Sequence, residues 1–206
     1  MNTQSAFTFS QRLKTFACWG AFVGVAFFTV YPTTNWLTSL REDHFVVYSS
    51  AELQIPFMAS FIWLYLSMYL LFTLPPFFLN PSELKRLGLE LIVATVISGL
   101  IFLVFPAKLG FSRVIPEETL YRDLYTALFS VDSPFNLLPS LHVVYSSAIA
   151  FAIVRNTNAY LRAIMLFWLS MIVSSTVLVH QHHIADVIAG LLLTACVSAF
   201  MGRRYV

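Results

Sequence analysis

The sequence predicts an all-α, polytopic membrane protein, a bundle of six transmembrane helices with one short helix on its outer, periplasmic surface. Three observations predict it. Of 206 residues, 58% are hydrophobic and only 11% charged, where soluble domains carry roughly 25% charged residues. Apolar runs near the roughly 20 residues that cross a bilayer recur along the chain. Short polar patches separate them, and the length suits a single domain over residues 1–206. A formal charge of +2 is too small to suggest a nucleic acid, so the bilayer is the expected partner, and oligomeric state is not legible.

The expected spans cover approximately residues 13–33, 56–79, 87–105, 140–155, 160–179 and 183–201. Arg12 and Lys14 precede the first run as in a signal peptide, but no small-x-small cleavage site follows, so an uncleaved span is expected. In the loop over residues 34–55, Trp36 and Tyr48 suit the interfacial aromatic belt. Pro56 suits the start of span two, and Pro75 and Pro76 kink or finish it. The turn over residues 80–83 offers Ser82 as an N-cap for span three. Span four is short, and needs Leu137 and Leu138 or local thinning of the bilayer to complete it. Cys18 and Cys196 fall inside apolar runs, which predicts buried thiols rather than a disulfide.

Basic residues give an orientation through the positive-inside bias. Arg12, Lys14, Lys85, Arg86, Arg155, Arg162, Arg203 and Arg204 fall on one side. Arg41, Lys108, Arg113 and Arg122 fall on the other, diluted by acidic residues. The bias puts both termini in the cytoplasm and the loops after spans one, three and five in the periplasm or an equivalent exterior, and the placement expected is a bacterial inner membrane. Residues 106–139 make a connection too long to be idle. Within it, Pro116, Glu117 and Glu118 read as a helix start, and Leu120, Leu124 and Leu128 recur at four-residue spacing. An amphipathic surface helix over residues 117–129 is expected, with Arg122 paired to Glu118 or Asp123.

The most costly residues lie in STVLVHQHHIAD, residues 175–186, since unpaired ionisable groups in a membrane cost several kcal/mol. His182 and Asp186 are four apart, which puts them on one helical face where the sixth span starts near His182. Span four opens as Pro139-Ser140-Leu141-His142, and a helix N-terminus there turns free N–H groups toward an incoming anion. An imidazole oriented by a carboxylate and facing an anion site is an arrangement for nucleophilic or general-base catalysis. Ser140, Ser175 and Thr176 add hydroxyls. The stretch also reads as a polar turn with a capping aspartate, or as zinc ligands His180, His182, His183 and Asp186. Against zinc, adjacent His182 and His183 point about 100° apart on a helix and no second ligand pair is spaced for the same ion. No metal or cofactor is expected, and His183 reads as an interfacial neighbour, His180 as a loop residue near a headgroup.

Pro139-Ser140-Leu141-His142 and Ser175-Thr176, followed after five intervening residues by His182 and after three more by Asp186, resemble the second and third signature motifs of the type 2 phosphatidic acid phosphatase superfamily. The second is a compressed form of PSxxH, similar to the branch containing inositol phosphoceramide synthase, as is the segment with Ile55-Pro56-Phe57 and Trp63 to Tyr69. The third has Thr176 where SRx5Hx3D has arginine. The first motif, Kx6RP, is not present as written; Lys108 and Arg113, spaced Kx4R with Pro116 beyond, are its nearest counterpart. Those two cations also suit snorkelling at the interface.

The resemblance implies a phosphoryl-transfer mechanism without metal. His182 attacks phosphorus, Asp186 orients it, and His142 protonates the leaving oxygen. Lys108, Arg113, Ser140, the Leu141 N–H, Ser175 and Thr176 hold the phosphoryl oxygens. Water then cleaves the phosphohistidine of a phosphatase acting on a lipid phosphomonoester or polyprenyl diphosphate; an alcohol in its place makes a headgroup phosphotransferase. A non-catalytic lipid or ion transporter is the alternative of another class, since intramembrane histidines and carboxylates also serve proton relays. The paired interrupted helices of many transporters are not evident.

Overall fold

A computed structural model describes residues 7–132 and 134–202; Arg203 and Arg204, counted above toward the cytoplasmic side, lie outside the described residues. Among these residues the chain is helical, with no strand and one isolated bridge, Phe45 to Ala107. The helices are α1 (Phe9–Ser39), α2 (Ile62–Leu66), α3 (Met68–Phe72), α4 (Pro75–Phe78), α5 (Pro81–Val104), α6 (Thr119–Val131), α7 (Leu141–Val154), α8 (Ala159–Leu178) and α9 (Ile184–Gly202). Four of them, α1, α5, α8 and α9, are long and apolar enough to cross a membrane. At 1.5 Å per residue α7 runs about 21 Å, short of the roughly 30 Å hydrocarbon core.

Local chemistry sets the boundaries. Thr8 and Gln11 form a capping box that starts α1 ahead of the expected residue 13. The α5 cap is Asn80, not Ser82: its Oδ1 accepts the Glu83 N–H at 3.0 Å, the Glu83 carboxylate accepts the Asn80 N–H at 2.8 Å, and Pro81 takes the first helical position. The Ser82 hydroxyl only donates to Asn80 Oδ1. The expected span over residues 56–79 is broken into α2, α3 and α4. At the first break the Ser67 N–H is shared between the Trp63 and Leu64 carbonyls, its hydroxyl donates to Leu64 O, and Trp168 Nε1 donates back to that hydroxyl. Pro75 and Pro76 open α4 rather than ending a longer helix.

The helix after the third span forms at residues 119–131, two residues later than expected, and it is tethered. Tyr125 is fully buried among Ile62, Tyr65 and Val179, and its hydroxyl donates to the Ala59 carbonyl. Arg122 donates to the Glu117 carbonyl, not to the expected carboxylate partners.

The main core joins α5, α7, α8 and α9 through Leu84, Leu91, Phe102, Val144, Ile149, Ile153, Ile172 and Val197. Gly88 and Gly99 let α1 lie against α5, since a Cβ on either would run into Trp19 or Val30. At one end of the bundle Arg86 pairs with Glu90 at 2.8 Å and bonds the Ser198 carbonyl, and Asn156 bonds Glu83. At the opposite end the C-terminus of α8 and the N-termini of α7 and α9 meet. Cys18 and Cys196 are exposed, correcting the expected burial: hydropathy does not separate a core-facing helical position from one facing lipid, because both are apolar.

Candidate active site

The α7 N-terminus is capped by Ser140, whose Oγ accepts the Val143 N–H at 3.4 Å. The Ser140 N–H donates to the Asp186 carbonyl at 3.1 Å, which stitches the start of α7 to the first turn of α9. Gly190 keeps the helices close, because a Cβ there would sit 3.0 Å from the Ser140 carbonyl oxygen. This junction brings His142 Nδ1 to 3.1 Å from His182 Nε2. Behind His182, Asp186 Oδ2 lies 3.4 Å from Nδ1, with His182 4% exposed and Asp186 fully buried. On the far side of His142, Nε2 is 2.5 Å from the Tyr65 hydroxyl. Four side chains thus form one line, Tyr65, His142, His182, Asp186.

The line has a direction. A carboxylate behind His182 Nδ1 favours a proton on that nitrogen, which leaves the Nε2 lone pair facing His142. A phosphoryl group entering between the rings would meet a nucleophile on one side and a proton carrier on the other.

Other expected residues hold this arrangement. Ser175 and Thr176 are fully buried, and their hydroxyls donate to the Ile172 and Val173 carbonyls of their own helix. The Thr176 carbonyl accepts the N–H groups of both Gln181 and His182 at 3.0 Å. Thr176 therefore shapes the turn that delivers His182, through a backbone made compact by His180 at φ 57°.

His183 is buried, not interfacial. Its Nε2 accepts the Gly110 N–H at 2.9 Å and its Nδ1 lies 2.9 Å from Glu52 Oε1. The same Glu52 oxygen accepts the Ile184 N–H at 2.7 Å, and Asp186 Oδ2 accepts the His183 N–H at 2.8 Å, so two carboxylates cap α9. Tyr48 and Phe111 stack on the two faces of His183 at 4.3 and 4.5 Å, and Phe111 stacks in turn on His180 at 4.0 Å. His180 Nε2 bonds the Ile55 carbonyl. Burial pushes both His180 and His183 below the ordinary histidine range, opposed in His180 by the Ile55 carbonyl and in His183 by Glu52. Both nitrogens of His183 and Nε2 of His180 are thus engaged, whereas Nδ1 of His180 has no hydrogen-bond partner.

A model of the PAP2 superfamily matches residues 87–205, more than half of the chain. The chain belongs to the PAP2 superfamily. Members of that superfamily are phosphatases or phosphotransferases, and the apolar helices fit a membrane protein with activity of that type. No curated protein and no solved structure matches the chain. The matched region holds His142, His182 and Asp186; Tyr48, Glu52 and Tyr65 precede it.

The cations expected to stand in for the first PAP2 motif are placed differently from one another. Arg113 spends its guanidinium on the Asp132 carbonyl at 2.5 Å and the Phe129 carbonyl at 3.4 Å, and lies over the Phe129 ring. Its charge is within electrostatic reach of Tyr65 and Tyr31. The Tyr31 hydroxyl donates to Asp132, and Asn136 donates to Tyr31 O and Thr34 Oγ1, which fixes the loop before α7 to α1. Lys108 is exposed and lines an open pocket of about 340 Å³ with Glu42, His44, Leu109, Pro134 and Phe135, a lining that includes neither catalytic candidate histidine.

Glu52 and Tyr65 are the residues that motif reasoning missed. In the sequence Glu52 is one of several acidic residues in the connecting loops, and Tyr65 is one aromatic in the run from Trp63 to Tyr69. The sole signal for either is a polar group in a segment that also carries the branch-like pattern, and nothing local pairs them with histidines 131 and 77 positions away.

Proposed function

We propose that this PAP2 protein is an integral membrane lipid phosphatase that hydrolyses a lipid phosphomonoester or diphosphate through a phosphohistidine at the outer face of the bilayer. The observation that carries the reading is the pair His142 Nδ1 and His182 Nε2, 3.1 Å apart, with Asp186 behind the second ring. The His182 Nε2 lone pair forms the P–N bond as the ester P–O bond breaks, and the Nδ1 proton of His142 goes to the leaving oxygen. Water then attacks phosphorus, returns a proton to His142 Nδ1, and releases phosphate and His182. The Leu141 and His142 N–H groups, in the first turn of α7 and without helical acceptors, face the phosphoryl oxygens. Arg113 adds charge from the loop before α6. Ser140 and Thr176 act through the backbone that places the two rings, and Lys108 and Ser175 stay outside the chemistry.

Six spans remain the architecture that fits best. The apolar segment of residues 59–72 and the apolar helix α7 complete the four long helices, and α6 rests at the outer end. Lys85, Arg86, Arg155 and Arg162 sit at the end of the bundle remote from the histidines, which supports a cytoplasmic placement for that end.

The test uses purified protein, a panel of phosphatidic acid-like and polyprenyl diphosphate lipids, and the His182→Ala variant, each with chelator and with or without alcohol acceptors. Phosphate release without acceptor and with chelator present is expected, falling by about 10³-fold or more in the variant. Release at the unmutated rate by His182→Ala removes the nucleophile assignment. Strict dependence on an acceptor converts the reading to a headgroup phosphotransferase of the inositol phosphoceramide synthase type.

A further inference from the structure

Tyr65 is fully buried, packs with Ile62, Tyr125 and Val179, and holds its ring 4.8 Å from the His142 ring. Its hydroxyl reaches the one nitrogen of His142 that points away from His182. Resting on the phosphohistidine reading above, we infer that Tyr65 is a positioning residue for the acid-base histidine: its oxygen accepts the His142 Nε2–H and reserves Nδ1 as the nitrogen that gives up and recovers the proton.

The proton inventory fixes the direction of that bond. His182 presents the Nε2 lone pair, so the proton between the two rings sits on His142 Nδ1 before the attack. When it passes to the leaving oxygen, His142 must stay a neutral imidazole, which needs its remaining proton on Nε2. Only an acceptor at Nε2 suits that state, and the Tyr65 oxygen is placed to be one. A tyrosine donating to Nε2 would require a ring with Nδ1–H alone, and loss of that proton would leave an imidazolate. Tyr65 thus does for His142 what Asp186 does for His182, fixing rotation and tautomer without entering the bond changes.

The experiment uses the full chain in detergent micelles, labelled with 15N-histidine, with His142→Gln to assign the signal. In the unmutated protein His142 Nε2 is expected to carry its proton throughout the titration, and in Tyr65→Phe the two tautomers are expected to mix. Kinetically, Tyr65→Phe is expected to lower kcat about 10- to 100-fold with KM changed less than about threefold, and to lower the residual rate of His142→Ala no further. An unprotonated Nε2 in the unmutated protein, or an equal loss in both backgrounds, overturns the inference. Because the NMR reading does not need turnover, a protein that hydrolyses no lipid phosphate but keeps the Tyr65-dependent tautomer removes the phosphatase reading alone.

Discussion

Asp186 offers one oxygen to two partners. Oδ2 accepts the His183 N–H at 2.8 Å and stands 3.4 Å from His182 Nδ1, while Oδ1 has no protein partner. The two duties separate by substitution. Asp186→Asn keeps an oxygen for the cap but replaces the negative charge behind His182 with a neutral amide, so kcat is expected to fall about 10²- to 10⁴-fold with little change in the thermal midpoint. Asp186→Ala loses the cap as well, worth about 1 kcal/mol, and its midpoint should drop. Rates and thermal unfolding of the two variants check this; an Asn variant with near-normal kcat would show that the carboxylate only caps. The His182 and Asp186 relation was legible from their spacing, but not for the helical reason expected: His182 lies in the turn before α9, and the cap that Asp186 makes to the His183 N–H brings its carboxylate to the ring. The role of Thr176 was not, because a side-chain motif does not reveal that a backbone carbonyl carries the contact.

At the scale of elements, the helix ends that carry the histidines are held by a rack built from distant loops. Tyr48, His183, Phe111 and His180 stack in sequence, Glu52 bonds both His183 and the first N–H of α9, and the Met58 N–H bonds the α8 carbonyl of Leu178. Burial holds His180 and His183 below the ordinary histidine range. The unfolded chain therefore binds protons there that the native rack does not. Stability from these two groups is full above the unfolded pKa of about 6.5 and declines as pH falls below it. The thermal midpoint is expected to be lower at pH 5 than at pH 7.5, and a midpoint that rises toward pH 5 would contradict the rack. Glu52→Ala should lower the midpoint at every pH, since it leaves two buried donors unpaired at about 1–3 kcal/mol each, whereas Glu52→Gln keeps an acceptor and should lose less. Helix identities were readable from hydropathy, yet the rack was not, because its members are loop residues joined across more than 100 positions.

For the whole molecule, the sequence carries the bundle but not its internal seams. Five of the expected spans appear as single helices, whereas the segment ahead of α5 is broken at Ser67 and again before Pro75, where hydropathy stays high while backbone bonding changes. What the bundle does show is two unlike ends. The α7 and α9 N-termini, the α8 C-terminus and the loops bearing Glu52, Gly110 and Arg113 gather at one, and the Arg86, Glu90 and Ser198 cluster with the Asn156 to Glu83 bond at the other. If the cation-rich end is cytoplasmic, the histidine pair faces outward and its phosphorylated substrate arrives from that side. The two native cysteines are exposed on helices inside apolar runs, so a background with both changed to alanine frees thiol chemistry for reporting sidedness. In that background Ser112→Cys, exposed in the loop before α6, is expected to react with a membrane-impermeant maleimide on intact cells, and Lys85→Cys, exposed near the start of α5, only after permeabilisation. Labelling of Lys85→Cys on intact cells with protection of Ser112→Cys would invert the molecule and move the chemistry to the cytoplasmic face, leaving the histidine geometry itself untouched.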